Sequence, residues 1–304
     1  MNRKDFIKKS VGALALASLA PSAIGKGFAA GKRKIAKPAI KLALKFSMVK
    51  ADNMSVLEKF RMLKDIGYDG VELDSPNDLN NKEIVEARDK TGLEIPGVVC
   101  SKHWSSPLSS ADPKVRAECV EAMKTAFLDC KEYGGTSVLL VPAVVNQETN
   151  YEDAYKRSQV EIRKLLPFAK QSGINIAIEN VWNNFLLSPL EAARYTDDFN
   201  DPMIGWHFDI GNIVRYGWPE HWIRILNKRI LKLDVKEFSR KKESEEGVWK
   251  GFDAELTEGD NNWPEVLKAL DEIGYSGWAA AEVEGGDRTR LDHVFQGMRK
   301  IFRS

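Results

Sequence analysis

The feature that most constrains this chain is a strict alternation of short apolar segments with longer segments of helical period, repeated eight times from residue 40 onward. The predicted strands are residues 42–48, 71–73, 93–100, 137–141, 174–180, 204–210, 230–238 and 278–283. The predicted helices are residues 55–66, 80–90, 113–133, 151–171, 189–195, 219–226, 263–273 and 288–302. Such alternation predicts a parallel sheet, and eight units close into a (β/α)8 TIM barrel of the α/β class. An open doubly wound sheet is the alternative, disfavoured because no glycine-rich phosphate-binding motif follows the first strand.

Length, charge and cysteine content limit the partners that this chain can have. Its 304 residues suffice for one large domain with a sizeable core. The 45 Lys and Arg against 44 Asp and Glu leave a formal charge of +1, which gives no reason to expect nucleic acid or an anionic membrane. Three cysteines without a CxxC pair argue against a disulfide scaffold. We expect a small-molecule ligand and no stable membrane span, and the oligomeric state is open, a homo-oligomer included.

The N-terminal segment differs from the rest and is typical of an export signal. Four basic residues lie within residues 3–9, an apolar stretch follows at 11–24, and Ala29-Ala30 suits cleavage. The start also resembles a twin-arginine motif, with Lys4 in place of the second arginine, so twin-arginine and general export both stay open. An uncleaved N-terminal anchor is the alternative. We expect an exported, periplasmic protein organised as export signal 1–30, basic linker 31–38 and barrel domain 39–304.

Acidic residues stand at the C-terminal ends of four predicted strands, where barrel enzymes place their chemistry. They are Glu179 on the fifth strand, Asp209 on the sixth, Asp234 on the seventh, and Glu282 with Glu284 on the eighth. Because side chains two apart share a face, Asp234 should point into the barrel together with Lys232 and Lys236. Several carboxylates at one mouth repel unless they are protonated or neutralised. A divalent cation with oxygen ligands would resolve that conflict, and ion pairs with Lys232 and Lys236 are the structural alternative.

Several of these segments resemble the signature segments of the sugar phosphate isomerase/epimerase, or xylose-isomerase-like, family. They are residues 178–180, 208–212, 233–237 and the stretch from Gly259 through Gly277 to Glu282. The likeness runs in family order from about residue 41 to the C-terminus, and 259–277 is its most specific part. The resemblance implies a xylose-isomerase-like barrel with one metal ion held by Glu179, Asp209, position 234 and Glu282.

This chain departs from the family pattern at two positions. The usual histidine at position 234 is Asp, and a second common histidine is Asn212. An all-carboxylate set favours Mn²⁺ or Mg²⁺, with Zn²⁺ as a further candidate. Weak metal binding or loss of the metal are the alternatives.

The resemblance also implies an enzyme, namely a divalent-metal-dependent isomerase or epimerase that works through an enediolate. Glu179 and Glu282 would exchange the proton as base and acid, Lys236 would stabilise the oxyanion, and His103 would move a second proton. An unphosphorylated sugar or keto-sugar is expected, because sugar phosphates fit poorly with export. A 3-keto-glycoside lyase or hydratase, and a carbohydrate-binding barrel without catalysis, are the alternatives.

Five further residues are predicted to contact the substrate. They are Glu72, Trp104, Trp182, Asn212 and Glu284. Aromatic faces suit sugar rings, although Trp is also common core material. His207, which should share a strand face with Asp209, is expected to be a hydrogen-bonded histidine one layer deeper in the barrel.

Overall fold

The computed structural model describes residues 40–303, in which eight strands form one all-parallel sheet. The strands are β1 Lys41–Leu44, β2 Leu73–Ser75, β3 Gly97–Cys100, β4 Ser137–Leu140, β5 Asn175–Glu179, β6 Ile204–Asp209, β7 Ile230–Val235 and β8 Trp278–Ala281. β1 pairs with β8, and the remaining strands follow in order from β8 to β2. β1 and β2 meet in a parallel bridge between Lys45 and Glu72, where the Phe46 N–H donates to the Glu72 carbonyl over 2.8 Å. This bridge closes the sheet, so the predicted barrel is confirmed.

The predictions of an export signal and a linker fall outside the described residues. Within residues 40–303, no helix is both long enough and apolar enough to cross a bilayer. The three cysteines are buried and unpaired, in line with the argument against a disulfide scaffold.

Ten α-helices surround the strands in the described part of the chain. They are α1 Val56–Ile66, α2 Asn81–Thr91, α3 Pro113–Tyr133, α4 Tyr151–Ser172, α5 Pro189–Asp197, α6 Gly211–Val214, α7 Pro219–Leu226, α8 Arg240–Glu246, α9 Trp263–Glu272 and α10 Arg288–Phe302. The eight predicted helices are present, but the predicted count is wrong because α6 and α8 are additional. α6 is a single turn, and α8 is composed of charged residues and serine, so neither carries an apolar period.

Local signals determine where the elements begin and end. α1 starts at a capping box, in which the Ser55 hydroxyl accepts from the Glu58 N–H and the Glu58 carboxylate accepts from the Ser55 N–H. It ends at Gly67, whose φ of 119° is a conformation that other residues rarely adopt. β1 ends at Leu44, earlier than predicted, because Phe46–Met48 forms a 3₁₀ turn.

The barrel interior is unusually polar. Lys232 and Asp234 of β7 point inward and are buried, as the alternation predicts, while Leu233 and Val235 belong to the apolar core. The opposing strand leaves room for the lysine, since a Cβ at Gly97 would lie 2.2 Å from Lys232 Nζ. A glycine on β3 therefore allows a buried ammonium group to cross the barrel.

Candidate active site at the barrel mouth

Four carboxylates meet at the C-terminal end of the barrel, each supplied by a different strand. Glu179 ends β5, Asp209 ends β6, Asp234 pairs in register with Asp209 from β7, and Glu282 directly follows β8. One oxygen of each lies within 4.8 Å of the others. The structure thus brings together the acids named from the sequence, because the ends of parallel strands share one rim of the barrel. Their functional roles stay predictions.

Lys236 lies among these acids. Its Nζ is 3.0 Å from Asp209 Oδ2 and 2.7 Å from Glu282 Oε2. Burial alone would lower the pKa of Lys236, but Asp209, Glu282 and Glu179 raise it above its ordinary value. A Cβ at Gly211 would lie 2.3 Å from Lys236 Cγ, so the glycine after β6 makes space for the lysine. Lys236 is therefore a fixed positive charge at the mouth.

A second polar layer lies deeper in the barrel, around the Oδ1 atom of Asp234. Asp234 Oδ1 is 2.8 Å from Lys45 Nζ and 2.9 Å from His207 Nε2. Lys45 Nζ is also 2.7 Å from Glu72 Oε2, and Lys232 Nζ is 3.5 Å from Glu72 Oε1. Burial would raise the pKa of Asp234, but His207 and Lys45 together lower it below its ordinary value. The Lys45 and Lys232 ammonium groups already balance the two carboxylates of this layer, although Glu72, His207 and Asp234 have metal-like spacing.

The upper group of carboxylates fits a divalent cation. Three of its oxygens, Asp209 Oδ2, Asp234 Oδ2 and Glu282 Oε2, are buried and accept no hydrogen bond. Lys236 approaches two of them as an ion pair, without hydrogen-bond geometry. The two layers contain five carboxyl and three ammonium groups, so two negative charges are in excess once all five carboxyls are ionised and His207 is neutral. The carboxyl groups are those of Glu72, Glu179, Asp209, Asp234 and Glu282, and the ammonium groups are those of Lys45, Lys232 and Lys236. An oxygen-only donor set of that charge suits Mn²⁺ or Mg²⁺.

Without a cation, two of the acids hold their protons unusually tightly. Burial, reinforced by Glu282 and Asp234 and opposed by Lys236, raises the pKa of Asp209 to about 7. Burial also raises the pKa of Glu179 well above its ordinary value, and the charges of Glu282, Asp234 and Asp209 add to the effect. Proton release from these carboxyls and cation binding are therefore coupled.

We expect metal-free protein to lose stability between about pH 5 and 8, with most of the loss below pH 7, and Mn²⁺ to stabilise it more at pH 8. An unfolded Asp ionises near pH 4. Between about pH 4 and 7 the folded chain therefore keeps a proton on Asp209 that the unfolded chain has released, and the stability that this proton contributes is lost as the pH rises to about 7. Melting temperatures with EDTA and with Mn²⁺ at both pH values measure the effect. In the Asp209→Asn control the pH dependence should shrink. If Mn²⁺ raised the melting temperature equally at the two pH values, this coupling would be contradicted.

An open cavity of about 320 Å³ lies over the carboxylates. Its lining residues are Trp104, Glu179, Val181, Trp182, Asn212, Lys236, Trp249, Phe252 and Glu282. Three of the predicted substrate contacts, Trp104, Trp182 and Asn212, are among them. Glu72 is buried in the deeper layer, and Glu284 is exposed outside the lining. A larger groove of about 740 Å³ beside α3 contains none of the strand-end acids, so volume alone does not locate the site.

Hydrogen bonds to backbone groups hold the loops after β5 and β6 together. The backbone N–H of Asn212 donates to Asp209 Oδ1 over 2.7 Å, and the side-chain Nδ2 of Asn212 donates to the Asn180 carbonyl over 2.9 Å. Trp182 Nε1 donates to the Asn212 carbonyl over 2.8 Å. Asn212 therefore fixes the positions of a carboxylate and an aromatic wall.

His103 is buried beside Trp104, with the two ring centroids 5.6 Å apart. Its Nδ1 accepts from the Val141 N–H over 3.2 Å. Burial and the charge of Lys45 lower the pKa of His103 to about 4, so the imidazole is neutral and carries its proton on Nε2. It does not line the cavity, and its proposed proton transfer stays a prediction.

Sequence reasoning missed three residues of this region. Lys45 follows β1 and is a buried polar exception in an apolar segment, so the rule applied to the later strands would have found it. Trp249 and Phe252 lie on the 3₁₀ helix Val248–Asp253, which follows α8. That segment has no strand or helix periodicity, and its approach to the mouth follows only from the folded chain.

Comparison with known proteins identifies the barrel family that the chain matches. The profile of the family described as xylose isomerase-like TIM barrel matches residues 60–302. L-ribulose-5-phosphate 3-epimerase UlaE of Escherichia coli O1:K1 is 26% identical over 168 residues, which cover 52% of this chain and 59% of that protein.

Two solved structures share the fold. A D-tagatose 3-epimerase-like protein superimposes with a TM-score of 0.72 at 22% identity, covering 87% of this chain and 98% of the other. The 3-keto-D-glucoside 4-epimerase YcjR of E. coli superimposes with a TM-score of 0.74 at 14% identity, covering 87% and 100%.

Proposed function

This chain belongs to the xylose isomerase-like TIM barrel family, and we propose that it epimerises an unphosphorylated keto-sugar. The observation that carries the proposal is the placement of Glu179 and Glu282 on one cavity with Lys236 beside them. Epimerisation next to a carbonyl needs one group that removes a proton and another that returns it. Two carboxylates from non-adjacent strands can serve the two faces of a bound sugar.

The residues of the mouth can divide the work of this reaction. In the proposed mechanism, Glu179 removes the proton beside the carbonyl and Glu282 returns a proton on the other face, or the reverse. Lys236 lies close enough to stabilise negative charge on the substrate oxygen. Glu179, Asp209, Asp234 and Glu282 would hold a divalent ion, which would supply Lewis-acid stabilisation of that same charge. Trp182 forms an aromatic wall against the bound sugar.

The charge of the cavity supports a substrate without phosphate. Lys236 is the one basic residue among the lining residues, and both Asp209 and Glu282 already pair with it. A phosphate group would need further donors, typically arginine forks. We therefore propose a free or glycosidic keto-sugar, in contrast to the phosphorylated substrate in the name of the curated relative. Export to the periplasm, proposed from residues 1–30, agrees with such a substrate.

A lyase or hydratase acting on 3-keto-glycosides is the second candidate. The same proton removal would be followed by expulsion of the glycosidic oxygen. The open mouth favours it, because Trp104 and Trp249 leave more than half of their surface uncovered beside the cavity, and a substituent on the reacting ring has room there.

Deuterium exchange distinguishes these functions. We expect Mn²⁺-loaded protein in D2O to incorporate deuterium beside the carbonyl of its substrate and to form the epimer, both visible by NMR. Ketopentoses, ketohexoses and 3-keto-glycosides form the panel. Release of the aglycone would identify the lyase. Sugar binding without exchange, equal with and without EDTA, would contradict both enzymatic proposals and support a binding barrel.

A further inference from the structure

An aromatic shelf flanks the cavity on the side of the 3₁₀ helix after α8. The shelf consists of Trp182, Trp249 and Phe252: the Trp182 centroid is 5.1 Å from that of Trp249 and 4.8 Å from that of Phe252. Phe238 packs against Trp182 with its centroid 5.6 Å away, and the bond from Trp182 Nε1 to Asn212 fixes the indole. The shelf is therefore a built surface, supported from the segment after β7 and from α6.

The outermost ring of the shelf is left uncovered. Trp249 is 68% exposed, and Trp104, which lines the same cavity from the loop after β3, is 52% exposed. Leaving large aromatic rings in water forgoes about 25 cal/mol for each Å² that could be buried. Exposed aromatic groups beside a polar cavity are characteristic of ligand sites.

The charges around the shelf favour an uncharged ligand. The Arg215 guanidinium lies 5.0 Å from the Trp182 ring centroid, and its Nε is 2.7 Å from Glu243 Oε1. The basic group nearest to the shelf is thus already paired. The C–H face of a pyranose, or an aryl ring, stacks on indole without needing a charge.

We propose that Trp249 and Trp104 form a subsite for a second ring, so that the substrate is a glycoside rather than a free monosaccharide. This inference rests on the proposed function and specifies its substrate class. The cavity of about 320 Å³ is near the small end of ligand pockets, which range over roughly 300–1,000 Å³. One sugar ring fills it above the carboxylates, and the next ring, joined through a glycosidic oxygen, stacks on the exposed indoles.

Binding of matched ligands to the Mn²⁺-loaded protein tests the subsite. For gluco-, galacto- and manno-configured sugars, and for their 3-keto forms, calorimetry compares the methyl glycoside, the 4-nitrophenyl glycoside and a disaccharide. We expect two-ring ligands to bind at least 10-fold more tightly than the methyl glycoside of the same sugar. A preference for the disaccharide or for the nitrophenyl glycoside identifies the second ring as sugar or aryl.

Tryptophan variants localise the effect. Trp249→Ala and Trp104→Ala should each reduce the two-ring preference by about 10-fold. Trp218→Ala is the matched control, since Trp218 is 55% exposed but does not line the cavity, and it should retain the preference. Equal binding of one- and two-ring ligands, no binding of any two-ring ligand, or an unchanged preference in Trp249→Ala would overturn the subsite.

The measurement is repeated in Glu179→Gln, where binding is separated from turnover. If the unsubstituted, Mn²⁺-loaded protein exchanges deuterium into none of the sugars tested but both proteins keep the two-ring preference, the proposed epimerase is rejected and the subsite stands. Deuterium exchange into monosaccharides without any two-ring preference would support the epimerase and reject the subsite.

Discussion

Replacing Glu179 by Gln is expected to lower turnover of the keto-sugar by about 10³-fold while leaving the fold intact. A positioned acid–base group contributes roughly 10²–10⁴-fold to proton transfer. The amide keeps the shape of the side chain but can neither remove nor return a proton. Because burial and the neighbouring acids raise the pKa of Glu179, the neutral amide also resembles the form that the metal-free site favours. The melting temperature of metal-free protein should therefore stay the same or rise.

NMR measurement of epimer formation gives the turnover, and Glu284→Gln is the control. Glu284 lies on the same loop as Glu282 but is exposed and outside the cavity lining, so its amide should leave turnover unchanged. A loss of less than 10-fold in Glu179→Gln would rule out this carboxylate as an acid–base group.

Comparison with Glu282→Gln tests the division of work between the two carboxylates. In a two-carboxylate mechanism each variant loses epimerisation, but each still exchanges the proton of the epimer that faces its remaining acid. Deuterium exchange measured separately from each epimer should therefore show opposite asymmetry in the two variants. The same asymmetry in both would mean that a single group handles both faces.

The sequence was most informative where a residue broke a strong pattern. Strands of a parallel barrel are buried on both faces, so Glu179 and Asp209 could be identified without any knowledge of their partners. Their convergence followed from topology, because successive parallel strands end at one rim. The same reasoning would have identified Lys45, which ends an equally apolar segment.

The remainder of the site depends on contacts that periodicity does not encode. The charged helix α8 and the 3₁₀ helix Val248–Asp253 have no apolar face to predict, yet they bring Trp249 to the cavity. Glu72 directly precedes β2 and does not stand at its C-terminal end, where it had been expected. Its carboxylate therefore pairs with Lys45 below the mouth, where β1 and β2 meet at these two residues. Which polar residues face the cavity and which neutralise one another depends on the depth of each in the barrel.

The structure also gives a reason why an aspartate can stand at position 234, where the resemblance implies a histidine. Lys45 Nζ lies 2.8 Å from Asp234 Oδ1, so the pair as a whole is uncharged, like a neutral imidazole. The other oxygen, Asp234 Oδ2, is buried without a hydrogen bond and stays available toward the mouth. Asp234 can therefore contribute an oxygen to the upper layer while Lys45 balances its charge from below.

Replacing Lys45 by Met is accordingly expected to destabilise the protein by about 3–5 kcal/mol, the usual cost of removing one partner of a buried ion pair. Asp234 and Glu72 would lose the ammonium group that both contact. Burial alone would lower the pKa of Lys45, but these two acids raise it above its ordinary value, so the native side chain is charged. Chemical denaturation measures the loss, with Lys41→Met as control, because its pair with Glu94 is half-exposed and worth at most about 1 kcal/mol.

Adding Asp234→Asn to Lys45→Met should recover part of the stability, since the buried charge left without its partner is then removed. A coupling of about 1 kcal/mol or more between the two substitutions is expected for groups in direct contact. If Lys45→Met were no more harmful than Lys41→Met, or if the two effects simply added, Lys45 would not be the group that neutralises Asp234. The substitution of histidine by aspartate would then need another source of positive charge, and Lys236 at 3.0 Å from the neighbouring Asp209 is the nearest candidate at the mouth.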